Sequence, residues 1–428
     1  MPTNNYLVIT RQERINILGI NKYIGILGII AILLISYLFS NNKKIINLKL
    51  VFIGLLFQLL TGVFILKFPP GKYLFELLAK GVTTILELSR EGGRFVFGIL
   101  ANEPLLSHHF GKEFGFIFII QIVPTIIFVC ALVSALYYFG ILQVIIKVFA
   151  WIFNKSLGVS GAEALANTSV AIVGQVESAI VVQPYLSKMT RSELLTIMTG
   201  GMACISGSLM AIYSSLGVQA EYLLAASFMA IPGSFVLSKI FYPEDDTPVT
   251  KNLVNINLSI KEKSLVEAIL DGAFSGAKIC VGVIAMLLAF ISLVSMVDKL
   301  LFTLNHSLSL KMIFGYLFTP LIYLFGVPKD DVSTVAQLLG TKISLNEFIA
   351  YIDLSKQITL NTLSSKSILI TTFLLCGFAN FSSIAIQVGG LSQMAPDRKS
   401  DLASLGLKAM ICGALTSCIS ACIAGMLV

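Results

Sequence analysis

Charge is what this 428-residue chain has least of: 12% of its residues are Asp, Glu, Lys or Arg, against 56% hydrophobic. Mean hydropathy reaches +0.88. That balance excludes a soluble enzyme and describes a polytopic integral membrane protein. Histidine is nearly missing too, with three in all. His108 and His109 are neighbours whose rings point apart and His306 is alone, which argues against a histidine-built metal centre. The chain has no His-Glu-x-x-His, no Gly-x-Ser-x-Gly and no nucleophile–base pairing, which argues against an intramembrane enzyme. Cys130, Cys204, Cys280, Cys376, Cys412, Cys418 and Cys422 form no Cys-x-x-Cys pair and read as small buried hydrophobes. The formal charge of +7 is scattered through short loops, so no nucleic-acid partner is expected.

Long apolar runs dominate instead. Stretches at 23–42, 50–66, 114–146, 194–220, 222–238, 279–297, 312–328, 367–396 and 409–428 carry almost no charge. Crossing ~30 Å of hydrocarbon takes roughly 17 to 25 residues, so about eight spanning helices are expected. The first run follows Arg11, Arg14 and Lys22 but lacks a small-residue cleavage pattern, so it reads as a retained helix. Lys43, Lys44 and Lys49 follow it, and positives on both sides leave the orientation open. Residues 72–100 mix Glu76, Lys80, Glu87, Arg90, Glu91 and Arg94 with apolar residues, the pattern of an amphipathic helix lying in the interface. The expected division is an N-terminal scaffold part (1–140), a first half of a transport core (141–242), a polar linker (243–263), a scaffold helix region (264–311) and a second half of the core (312–428).

Two segments are too polar for lipid-facing helices. One runs from Gly158 to Pro184 with Asn167, Thr168, Ser169, Gln175, Glu177 and Gln183 inside it; the other runs from Cys376 to Gly390 with Asn380, Ser382, Ser383 and Gln387. Both read as re-entrant helical hairpins, near 160–187 and 365–395, whose irregular tips are tolerated only against protein or a water-filled cavity. One hairpin in each half points to a midplane site built from inverted repeats. The fold class is therefore all-α, with about eight transmembrane helices, two re-entrant hairpins and interfacial amphipathic helices.

Glu347 is the most telling single residue, a carboxylate between apolar runs, where ionisable groups are costly and mark a substrate or ion path. Each polar group also has a plainer reading. Gln175 and Glu177 fit a solvated surface loop equally well, and Asn346 and Glu347, preceded by Lys342, fit the start of an interfacial helix. Asn380 and Ser383 fit polar contacts between packed helices.

Taken together, the motifs resemble one family, the concentrative nucleoside transporters. Gly340-x-Lys342-x-x-x-Asn346-Glu347-Phe348-Ile349-Ala350-Tyr351 follows that family's signature, with Ile349 where Val is common. Gly377-Phe378-Ala379-Asn380-Phe381-Ser382-Ser383-Ile384, Val173-Gly174-Gln175-x-Glu177-Ser178 and Phe95-Val96-Phe97-Gly98 are similar to further motifs, in order across most of the chain. The resemblance implies that Gln175 and Glu177 bind the nucleobase, that Glu347, Asn380 and Ser383 bind the ribose, and that Phe378 supplies apolar contact. It also implies a homotrimer in the bacterial inner membrane, with a moving domain containing both hairpins. The chemistry agrees: an ionised Glu347 accepts strong hydrogen bonds from sugar hydroxyls, and Gln175 offers a base edge both donor and acceptor. A nucleotide would call for clustered Arg or Lys, absent from these motifs.

Coupling is where the chain departs from the pattern. Sodium-driven members carry Asn four residues before the hairpin glycine and Ser or Thr in the following helix; Val170 and Cys204 stand at those positions. Neither side chain offers the oxygen a hard cation prefers, although backbone carbonyls remain available to sodium. Proton coupling through Glu347 or Glu177 is therefore the expectation, with no other cofactor. Sodium symport and a passive facilitator are the alternatives. Val176, where Thr is common, and Gln183, where Arg is common, are further departures.

Overall fold

The computed structural model describes residues 20–110, 117–175, 177–251, 264–306 and 308–428. Among these the chain is helical, without strands. The front helices are α1 (Ile20–Leu38), α2 (Leu48–Leu66), α3 (Pro69–Phe97), α4 (Glu103–Phe110), α5 (Phe118–Tyr138) and α6 (Ile141–Leu157). The first hairpin is α7 (Gly161–Val173), α8 (Glu177–Ile180) and α9 (Gln183–Leu186), followed by α10 (Arg191–Ala203), α11 (Gly207–Ser215) and α12 (Ala220–Phe241). The back half contains α13 (Leu265–Leu304), α14 (Leu310–Leu324), α15 (Lys329–Ser344) and α16 (Glu347–Thr359), then the second hairpin, α17 (Ser365–Leu375) and α18 (Phe381–Met394), and the closing α19 (Lys399–Leu427).

Leu48–Leu66, Ala220–Phe241 and Pro396–Leu427 are each long and apolar enough to cross a membrane. The outer helices turn large apolar side chains outward, among them Phe52, Leu60, Leu288 and Tyr316, a surface suited to lipid and not to water. By contrast α12 and α19 are mostly buried and pack on each other, with α10 and α17 against α19. Helix α3 mixes exposed Leu77, Leu88 and Phe95 with its charges, the amphipathic character expected of 72–100. Helix α13 runs 40 residues, about 60 Å at 1.5 Å per residue, so it extends well past the apolar stretch at 279–297.

Two stretches expected as single spans are broken. The run at 114–146 bends by 76° between α5 and α6, at Gly140, whose φ of +77° suits a residue without Cβ. The run at 194–220 stops at Cys204 and restarts after Ser206. Hydropathy sees an apolar run of either kind and is blind to its continuity. Both hairpins take the expected form, helix, irregular tip, helix. Of the linker at 243–263, residues 252–263 lie outside the described part.

A buried ionic cluster ties the root of the first hairpin to the core. Lys239, near the end of α12, lies 2.9 Å from Glu163 of α7 and 3.1 Å from Glu244, and donates to Ser192 of α10. Glu163 also closes the capping box that starts α7, accepting from the backbone N–H of Ser160. The second hairpin is docked at its tip: Gly377 has φ +93°, and a Cβ there would stand 2.5 Å from the carbonyl oxygens of Met202 and Ala203. Gly377→Ala is expected to cost more than about 2 kcal/mol, from left-handed strain and the backbone clash together. Gly389, with nothing within 4 Å of the added carbon, supplies the control. Thermal unfolding in detergent should show a lowered midpoint for Gly377→Ala and none for Gly389→Ala; equal midpoints would contradict tip docking.

Candidate functional site

Helix α15 ends at Ser344, and Asn346 restarts the chain as the cap of α16, its Oδ1 accepting from the Ile349 N–H at 2.9 Å. Glu347 is thereby the first residue of a buried half-helix, where its carboxylate faces the positive end of the helix dipole. It is 4% exposed. Tyr213 of α11 donates its hydroxyl to Glu347 Oε1 at 3.2 Å, and Asn380 donates Nδ2 to Oε2 at 2.8 Å. Asn380 cannot turn its amide round, because its Oδ1 caps α18 by accepting from the Ser383 N–H at 2.9 Å and from Ser382 Oγ at 2.7 Å. One side chain therefore starts a helix and aims a donor at the carboxylate. Behind Glu347, Tyr213 stacks on Tyr351 with ring centroids 4.2 Å apart, and Tyr351 donates to the Thr372 carbonyl.

The tip of the second hairpin is held by a lysine. Lys342 of α15 is fully buried and donates to the carbonyls of Leu374 (2.9 Å) and Cys376 (2.8 Å) and to Ser417 of α19. Carbonyls left over at the end of α17 are thus satisfied by a cation. Lys342 is therefore an interior residue, and the interfacial reading of 342–347 does not hold. Cys376 and Cys204 both meet Ser227 of α12, through Sγ contacts of 3.6 Å.

The first hairpin also packs on α10. A Cβ on Gly200 would strike Asn167 of α7, and one on Gly201 would meet Gln387 of α18 and Gln175 at the hairpin tip. The Gly200–Gly201 pair thus lets both hairpins close on one helix. Asn167 donates to Ser234 of α12 at 3.0 Å.

The structure joins Glu347, Asn380 and Ser383 by hydrogen bonds and brings Gln175 beside Gly201 of α10, next to the Gly200 that faces Asn167. Phe378 is buried in the second tip and its carbonyl accepts from the Asn380 N–H. Val170 and Cys204 are fully buried; the Val170 carbonyl accepts from Gly174, and Cys204 caps α10. Glu177 begins α8, but its side chain, like all of Val176, lies outside the described part. Sequence reasoning missed Tyr213, whose aromatic ring looks ordinary in an apolar run, and gave no role to Tyr351, Lys342 or Gln387. The surviving signal was polarity inside an apolar segment. Asn346 Nδ2, Gln175 Oε1 and both amide atoms of Gln387 are buried without a protein partner, and each such group calls for an explanation.

A carboxylate at a helix N-terminus, bonded to Tyr213 beside the break between α10 and α11 and to Asn380 at the tip of the second hairpin, is the arrangement of a membrane carrier built on discontinuous helices. A family model described as "Na+ dependent nucleoside transporter C-terminus" matches residues 222–425. Its N-terminal counterpart matches 27–100, and one described as "Nucleoside recognition" matches 119–219. "Putative nucleoside permease NupX" of Escherichia coli is 39% identical over 94% of this chain and 98% of its own length. "Nucleoside permease NupC" of Helicobacter pylori is 36% identical over 94% and 97%. The solved structure of CNTnw in an inward-facing substrate-bound state superposes with TM-score 0.89 at 36% identity, covering 94% of this chain and 97% of that one. The chain belongs to the concentrative nucleoside transporter family, and is a multi-pass inner-membrane transporter and not an enzyme.

Glu347→Gln keeps the shape of the site and removes its charge. A hydrogen bond to a charged group contributes about 1.5–3 kcal/mol, so uptake should fall roughly 10- to 150-fold with folding retained. Initial-rate uptake of labelled uridine checks this, and wild-type transport by the variant would sink the role given to Glu347.

Proposed function

We propose that this protein is a nucleoside symporter driven by the proton gradient, working by alternating access. The observation that carries the substrate reading is the enclosed set of Glu347, Asn380 and Tyr213. With it go two buried atoms without a protein partner, Asn346 Nδ2 and Gln175 Oε1. A nucleoside is uncharged and rich in donors and acceptors, each of which needs a protein partner in exchange for water. In this reading Glu347, Asn380 and Ser383 hold the ribose, Gln175 and Glu177 read the base, and Phe378 supplies apolar contact.

The proton is favoured because Val170 and Cys204 bring no side-chain oxygen to the positions where sodium-driven members have one. Glu347 is the proposed proton carrier and Glu177 the second candidate. One charge crossing at ~150 mV supplies about 3.5 kcal/mol, enough for several-hundred-fold accumulation. The relative named "Sodium/nucleoside cotransporter 1" from mouse, 35% identical over 95% of this chain, keeps sodium as the second reading.

Purified protein in liposomes should accumulate labelled uridine above equilibrium when an inward proton gradient is imposed without sodium. Uptake that follows sodium instead would reverse the choice of ion, and equilibration without accumulation would mark a facilitator. We further propose a homotrimer; light scattering in detergent should return three times the 46.4 kDa chain mass, and a monomer mass would refute it.

A further inference from the structure

We propose that Gln387, on the second hairpin, is a nucleobase-edge ligand that acts beside Gln175 of the first hairpin; this rests on the nucleoside reading above. The side chain is 1% exposed, yet neither its Nε2 nor its Oε1 has a hydrogen-bond partner in the protein. Leaving both ends of a buried carboxamide unpaired is costly, and such groups are kept where something polar completes them. The buried stripe of α18 is Ser383, Gln387 and Leu391, spaced four apart. Gln387 therefore lies one turn, about 6 Å, along the helix from Ser383 on the same face. That offset is the one a nucleoside needs, with ribose at Asn380 and Ser383 and base further along.

The surroundings of Gly201 support the same placement. An added Cβ on Gly201 would sit 2.0 Å from Gln387 Nε2 and 3.3 Å from both the Cβ and the carbonyl oxygen of Gln175. The two glutamines thus approach one glycine from two hairpins. Gln175 Oε1 is also buried and unpartnered. A carboxamide matches any base edge with a donor beside an acceptor, such as N3–H and a carbonyl of uracil or N6–H and a ring nitrogen of adenine. Contact from both hairpins to one base would also make hairpin closure depend on the base being present.

The test uses the full-length protein in liposomes and compares labelled uridine, 3-methyluridine, which lacks the N3 donor, and adenosine. Gln387→Met preserves side-chain length without the amide, and Gln387→Asn preserves the amide but withdraws it by one methylene. Both should reduce the preference for uridine over 3-methyluridine at least about fivefold in kcat/KM, the lower end of what a bidentate base contact supplies, and shift the uridine-to-adenosine ratio. Equal losses for all three nucleosides, or no change, would overturn the assignment and leave Gln387 a packing residue. Should either variant be recovered poorly, the uridine-induced rise in unfolding temperature, compared with that from 3-methyluridine, gives the same ratio. A wild-type protein that transports none of the three would instead refute the nucleoside reading itself, and this assignment with it.

Discussion

Helix ends that stop inside the protein leave backbone N–H and C=O groups with no water to receive them, and the transport core depends on how these ends are satisfied. Asn346 caps α16 and Asn380 caps α18, each through its own side chain. Lys342 and Ser417 take up the carbonyls where α17 ends. The same groups that solve the backbone problem make the site: capping by Asn380 fixes the direction of its donor, and capping by Asn346 puts Glu347 at the positive end of a helix. Binding chemistry here is a by-product of ending helices where helices are costly to end.

That coupling explains why much of the site was legible in the sequence. Asn380, Ser383, Gln175 and Glu347 stand out because a polar residue in an apolar run needs a reason, and the hairpins were visible as runs too polar for lipid. Tyr213 was not legible, because tyrosine is unexceptional in a membrane stretch and its partner Glu347 is 134 residues away. Lys342 misled, since a lysine near an apolar run ordinarily reaches for the headgroups; only three-dimensional packing shows its acceptors inside. The break at 204–206 was hidden because Cys-Ile-Ser holds neither proline nor glycine. Gln387 was visible as polar, but its lack of a partner is a fact about neighbours.

The Gly200–Gly201 pair also shows how two hairpins far apart in the chain come together. Gly200 leaves room for Asn167 of the first hairpin, and Gly201 leaves room for Gln387 of the second and Gln175 of the first. Elements distant in the chain meet there because α10 is thin at that level, and the close approach sets the depth at which the two hairpins face each other.

The two hairpins are fastened differently at their tips, although the second is also tied at its root, where Ser364 donates to Asp331. The first is pinned at its root by Glu163 and Lys239, while its tip is held by its own backbone through Gly174 and Ser178. The second is pinned at its tip by Lys342, Ser417 and the seat of Gly377 on α10. A tip held by a buried cation and a left-handed glycine has more to break before it opens than one held by its own backbone, so the two hairpins differ in local stability even where their helices look alike.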